Sequence, residues 1–301
     1  MKRNRIYQLI GAVATATLLA GCDVKDPIYN TPHPGHGTVT LTTDWSGIGT
    51  GLTPLASYTV TATRDGSATA GYTATLTGIT NRPDHLFEPG TYRFCVCNTP
   101  EHVTVSATTA TVAGASGNAD GAGPFVQEMP GWLFTGIADA TIEADTDHAL
   151  TARMQQQVRQ LTLIIEPTGA ATKRIERIEA YLSGAASTLD FGNGTHSAPA
   201  NVVLQFAKIT EGADAGKYAA TVRLLGVAGA QQRLNALIYY TDGVPKATDL
   251  TSDLTTELAA FNTNKHKPLT LGGTIAETPT EAGFGATITD WIPVSGSGTA
   301  D

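Results

Sequence analysis

The side chains able to do chemistry in this 301-residue chain are few: three cysteines, seven histidines and one stretch of closely spaced carboxylates. Cys22 has the most informative neighbours. Leu19-Ala20-Gly21 precede it, and behind them lie an apolar run from Leu9 to Leu19 and a basic start, Met1-Lys2-Arg3-Asn4-Arg5. Cys95 and Cys97, in Tyr92-Arg93-Phe94-Cys95-Val96-Cys97, alternate with apolar residues and so share one face of a strand. Residues two apart on an extended strand hold their Cα atoms near the disulfide limit of roughly 7 Å, with poorly aimed Cβ vectors. The two thiols are expected to stay unbridged, buried or half-buried, and with no further ligands nearby they make no zinc site.

The other reactive groups point to no chemistry. His33-Pro34-Gly35-His36 lies in a proline-bearing tether with no third ligand, so no metal is expected there. Asp139, Glu143, Asp145 and Asp147 lack the Asp/Asn–Gly ladder of a calcium loop and are expected to form a solvated acidic connection. Asn193-Gly194-Thr195 matches a glycosylation triplet but reads more simply as a turn. There is no nucleophile elbow, no glycine-rich phosphate loop opening a helix and no His-Glu-x-x-His. No catalytic residue, cofactor or metal is assigned, and the chain reads as a non-enzyme.

The basic start, short apolar run and Leu19-Ala20-Gly21-Cys22 together resemble the bacterial lipobox, in which small residues admit a peptidase and the cysteine carries the lipid. Residues 1–21 are then a signal peptide too short to span a bilayer comfortably, and Cys22 is the acylated first residue of the mature chain. Each methylene buried in the membrane contributes about 0.8 kcal/mol, so two or more chains hold firmly. No later segment has the length and apolarity of a membrane-spanning helix.

What must be positioned behind that anchor is a chain rich in Thr, Ala and Gly, which suits Thr-bearing strands and small-residue turns. A net charge of −8 argues against nucleic acid as a partner. After a tether over 22–36, short strands recur: 38–45, 57–63, 72–78, 91–98, a tight hairpin at 102–113, and 132–135. The register resets near 154–160, and a second series follows: 161–165, 175–183, 187–191, 201–209, 218–225, 234–241, 268–271 and 284–294. Leu250, Leu254, Leu258 and Phe261, with Asp249 or Ser252 as N-cap, predict one short helix or helical loop. The expected fold class is all-β: two consecutive β-sandwich domains, 37–157 and 158–301.

A lipobox, a proline-bearing tether and two sandwich-like series together resemble the fimbrillin superfamily of type V pili, and most closely its minor, anchor-type members. Pro89-Gly90-Thr91-Tyr92-Arg93-Phe94, Gly131-Trp132-Leu133-Phe134-Thr135-Gly136 and Arg159-Gln160-Leu161-Thr162-Leu163 carry the likeness, as does Ile178-Glu179-Ala180-Tyr181-Leu182-Ser183-Gly184. The resemblance implies transthyretin-like sandwiches, an outer-membrane location and other fimbrial subunits, above all a shaft fimbrillin, as partners. It also implies a mechanism. Shaft subunits lose the lipidated segment and first strand to an Arg-directed protease, and a neighbour's C-terminal strand fills the groove; anchors keep both. Here no arginine lies between Cys22 and Arg64, which favours an anchor over a shaft subunit, with a shaft or tip fimbrillin as the alternative. The last strand offers Phe284, Ala286, Ile288 and Ile292 in one register, interrupted by Asp290, as a candidate donor strand; it can equally close the C-terminal sandwich. A surface glycan-binding lipoprotein is the competing reading, and it needs an aromatic platform from Trp45, Trp132 and Trp291.

Overall fold

A computed structural model describes residues 33–115, 123–169, 174–243, 247–280 and 283–294. Cys22 and the Leu19-Ala20-Gly21 lipobox lie outside the described residues, as does the side chain of Phe284. The described chain is all strand and turn. In order it forms β1 (Thr38–Gly47), β2 (Ser57–Arg64), β3 (Tyr72–Thr77), β4 (Thr80–Asn81), β5 (Gly90–Cys97), β6 (Val103–Ser106) and β7 (Thr109–Val112). Next come β8 (Gly114–Ala115), β9 (Phe125–Val126), β10 (Phe134–Ile142), β11 (Asp147–Gln156), β12 (Arg159–Pro167) and β13 (Ile175–Asp190). The series ends with β14 (Thr195–Gln205), β15 (Ala207–Lys208), β16 (Tyr218–Leu224), β17 (Arg233–Tyr240), β18 (Thr248–Asp253), β19 (Leu269–Thr280) and β20 (Gly283–Pro293).

The first half makes one seven-stranded sheet in the order β3-β2-β5-β10-β11-β1-β4. Period-two alternation sorts its faces: on β2, Tyr58, Val60 and Ala62 are buried while Thr59, Thr61 and Thr63 face outward. Val39 and Leu41 of β1 share one cluster with Tyr58, Val60, Phe94 and Met154 from strands across the sheet. The sheet therefore curls around its own core. β11 ends at Gln156 and β12 begins at Arg159, where the chain passes into a second pair of sheets.

Those sheets, β15-β16-β12-β19-β20 and β18-β17-β13-β14-β9-β8, pack face to face as a sandwich. Leu161, Leu163 and Ile165 of β12 meet Ile178, Leu182, Leu204 and Ile238 of the facing sheet. The expected hairpin at 102–113 is present as β6–β7, but β7 pairs with the far end of β13. A separate cluster ties Val103, Ala110 and Val112 to Leu189 and Leu225. The segments expected as separate strands at 175–183 and 187–191 are one bent strand, β13, with a register shift between Leu182 and Ala185.

Two readings need correction. Leu250 lies on β18 rather than on a helix, and the following residues form successive turns with a single helical bond, Leu258 N–H to Leu254 C=O at 2.9 Å. Asp249 and Ser252 are strand residues; Asp253 does the capping, its Oδ1 accepting from Thr255 N–H at 2.9 Å. Leu250, Leu254, Leu258 and Phe261 are all buried, so the four-residue spacing reported burial without helix. The last strand also changes face. Asp290 has φ +57°, and two residues oppose one between Gly272 and Thr274, which is a β-bulge. Ala286 is buried and Ile288 half-buried, but after the bulge Trp291 points inward (8 % exposed) and Ile292 outward (61 %). The single row Phe284, Ala286, Ile288, Ile292 therefore does not hold, because the inserted residue swaps the alternation.

Candidate functional site

The features that bear on function lie at the two ends of the chain. β1 runs parallel to β11, from Thr38 opposite Asp147 to Asp44 opposite Arg153, and its other edge is covered by β4 at Leu41 and Thr42. Val39 and Leu41 are buried beneath it. Asp147 clamps the start of the strand. Its carboxylate accepts from the Thr38 hydroxyl, from Arg82 at 2.8 Å and from His33 at 3.2 Å. The Thr38 bond, with help from Arg82 and His33, holds the Asp147 carboxyl below its ordinary range. His33 is buried, and its second ring nitrogen lies 3.1 Å from the carbonyl of His36. The end of the tether is thus docked rather than free, because the acidic stretch supplies it with a partner. Just past the strand, Gly49 N–H donates to Gln156 Oε1 at 3.0 Å.

Of the carboxylates expected to form one solvated stretch, Asp145 and Asp147 both lie beside His33, at 3.8 and 3.2 Å, while Asp139 stands apart on β10. Asp139 takes a bidentate bond from Arg93 at 2.8 and 2.9 Å, which lowers its pKa, while Asp145 sits in a turn with φ +57°. Among the described residues no three His, Cys, Asp or Glu side chains converge to hold a metal. Cys95 and Cys97 are free thiols on one face of β5, buried and half-buried. Burial pushes the Cys97 thiol up to about 11, so neither thiolate nor disulfide chemistry is favoured.

The tryptophans do not assemble into a platform. Trp45 packs edge-on against Phe134 at 5.7 Å, Trp132 lies under the Arg223 guanidinium, and buried Trp291 donates to Ser252 Oγ at 2.8 Å. That last bond fastens β20 to β18 on the facing sheet, so β20 closes the sandwich as an edge strand paired with β19. Gly273, opposite the bulge, is needed there: a Cβ would sit 2.6 Å from Ile288 and 3.1 Å from Trp291.

Sequence reasoning missed the seam between the halves. Gln157 Nε2 donates to Thr135 Oγ1 at 2.8 Å and its Oε1 accepts from Lys265 Nζ at 2.9 Å. Burial brings the Lys265 ammonium down to about 8. Burial, then the nearby Lys265 charge, brings His196 down to about 4, and its Nε2 has no partner. Arg159 is buried and bridges the loop after β18, donating to the carbonyls of Lys267 (2.7 Å) and Phe261 (2.8 Å). Nothing in the local sequence distinguishes these residues from surface polar ones.

The described residues thus form an all-β body with a clamped first strand and a last strand that closes the sandwich. The profile of the fimbrillin-A associated anchor proteins Mfa1 and Mfa2 matches residues 56–296, and the chain belongs to that family. Solved structures agree in fold. The fimbrial anchor protein Mfa2 from Porphyromonas gingivalis superposes with a TM-score of 0.57 at 10% identity, covering 86% of this chain and 97% of its own. Two candidate adhesins from Bacteroides ovatus give 0.56 at 11% identity over 87% and 96%, and 0.55 at 13% over 83% and 92%. A search of curated proteins returned no match. The family makes this a fimbrial protein.

Proposed function

We propose that this chain is the moored base of a fimbria. The signal peptide is removed, a lipid on Cys22 holds the protein at the outer membrane, and the folded body is joined to shaft subunits. The observation carrying this reading is the seat of β1. The strand is paired on both edges, buried through Val39 and Leu41, and clamped at Asp147. The first arginine after Cys22 is Arg64, at the far end of β2, where it bonds Glu88 at 2.9 Å and the Pro89 carbonyl at 2.7 Å. A cut there would remove β2 along with β1, and with it Tyr58, Val60 and Ala62 from the core. Such a cut dismantles the sheet instead of opening a groove, which supports retention of lipid and first strand.

The shaft is joined through β20. As an edge strand it offers an unpaired ladder of backbone groups among the described residues, with exposed Ile292 beside it. Full donation requires Trp291 to leave Ser252.

Cys22→Ala is expected to release assembled fimbriae into the medium with shaft polymerisation intact. Fimbriae that stay cell-bound in that strain refute the anchor reading. Mass spectrometry of the surface protein should recover an N-terminal acyl-cysteine peptide; a lipid-free chain beginning past β1 refutes retention. An Ile292→Cys probe should cross-link to a shaft subunit.

A further inference from the structure

We propose that the outward face of β18-β17-β13-β14 is a binding trough for a neutral, linear oligosaccharide. This stands apart from how the chain is moored. Two hollows of about 910 and 470 Å³ meet at Tyr181 and Asn235, within the size range of ligand sites. Cross-strand register sets their floor in rows. Asp249, Leu237, Glu179 and Gln205 lie side by side, and the next row is Thr251, Asn235, Tyr181 and Val203. The wall at one end is the loop around Gln231. Gly184, with φ +76°, lets it approach: a Cβ there would stand 2.5 Å from the Gln231 carbonyl oxygen.

The chemistry of the lining selects the ligand. β17 and β13 are hydrogen-bonded on both sides along the trough, so the backbones of its floor are committed and cannot pair with an added peptide strand, while β14 meets β9 only at Asn201. Recognition falls to side chains, and those of Gln205 and Asp249 and the Tyr181 hydroxyl make no hydrogen bond among the described residues. Glu179 is already engaged, by Arg177 at 3.0 Å and by the Tyr239 hydroxyl at 3.0 Å, so its charge is balanced. What remains is amide and hydroxyl groups, the Asp249 carboxylate and the Arg233 guanidinium, around the rings of Tyr181 and Phe206. Tyr181 is held edge-on by Phe125 at 5.7 Å, and Val203, 52 % exposed, extends the apolar patch beside it. A chain of hexoses presents the complement: hydroxyls at its rim for the amides and C–H faces for the ring.

The test is calorimetric titration of the full chain in detergent with maltohexaose, cellohexaose, xylohexaose and mannohexaose, and with an anionic hexagalacturonate. At least one neutral hexasaccharide should bind, and Tyr181→Ala and Val203→Arg should each weaken it tenfold or more. Val203→Arg changes an exposed side chain, so the fold is retained and the trough is filled. Thr75→Ala, on the outward face of β3, should leave binding unchanged. Absence of binding by all four neutral sugars, tighter binding of the galacturonate, or affinity untouched by both trough substitutions overturns the proposal.

Discussion

Leu41→Ala probes whether the first strand is part of the fold or a removable cover. Leu41 is 1% exposed at the middle of β1 and packs in the cluster formed by Val39, Phe87, Phe134 and Met154. Truncating a buried leucine costs about 2–5 kcal/mol, the upper end applying where the surroundings cannot collapse. β11 on one side and β4 on the other fix the backbone at this position, so about 3 kcal/mol is expected. That is a large share of the roughly 5–15 kcal/mol that holds a typical domain. Urea unfolding of the wild-type and variant chains measures it, with Thr40→Ala, on the outward side of β1, as a control expected within about 0.5 kcal/mol. Hydrogen exchange then shows whether β1 amides exchange with the global transition. If Leu41→Ala leaves global stability within about 0.5 kcal/mol of wild type while β1 amides alone exchange faster, β1 is detachable. The case against removal of the first strand then fails.

Arg159→Ala should cost about 3 kcal/mol in the same assay, because it leaves the buried carbonyl of Phe261 and the part-buried carbonyl of Lys267 without their donor; Arg159→Lys should recover only part, lacking the guanidinium fork. His196 is neutral in the fold down to about pH 4, while the unfolded chain takes up a proton near pH 6.5. The unfolded state therefore binds more protons in that window, and stability falls as pH drops from about 6.5 to about 4. His196→Asn should flatten this part of the urea-midpoint profile, and an unchanged slope would refute the assignment. At the bulge, Asp290→Gly should be tolerated, whereas Asp290→Val, forced to φ +57°, should lose about 1–2 kcal/mol by thermal unfolding.

How much was legible in the sequence follows from the range of the physics involved. Alternation on β1, β2 and β5 is a local property, so Val39, Leu41, Tyr58, Val60, Phe94 and Val96 could be assigned inward from the chain alone. The same holds for the two unbridged thiols, since strand geometry disfavours a bond between Cys95 and Cys97. Where a local rule is broken by one residue, the reading slipped. Asp290 adds a residue to β20 and exchanges Ile292 for Trp291, and Leu250 keeps a helical spacing while lying on a strand.

The order of residues by itself determined the strand-rich class, the inward faces, the absence of an enzymatic motif and the position of the first arginine after Cys22. These depend on side-chain type and near-neighbour spacing. Tertiary structure alone decided that β1 lies parallel to β11, that β7 joins the sheet of β13, and that His33 meets Asp147 across 114 positions. It also decided that Tyr181, Asn235 and Gln205 share one trough. Pairings over such distances are chosen by the burial of whole faces against one another, and no segment carries that information alone.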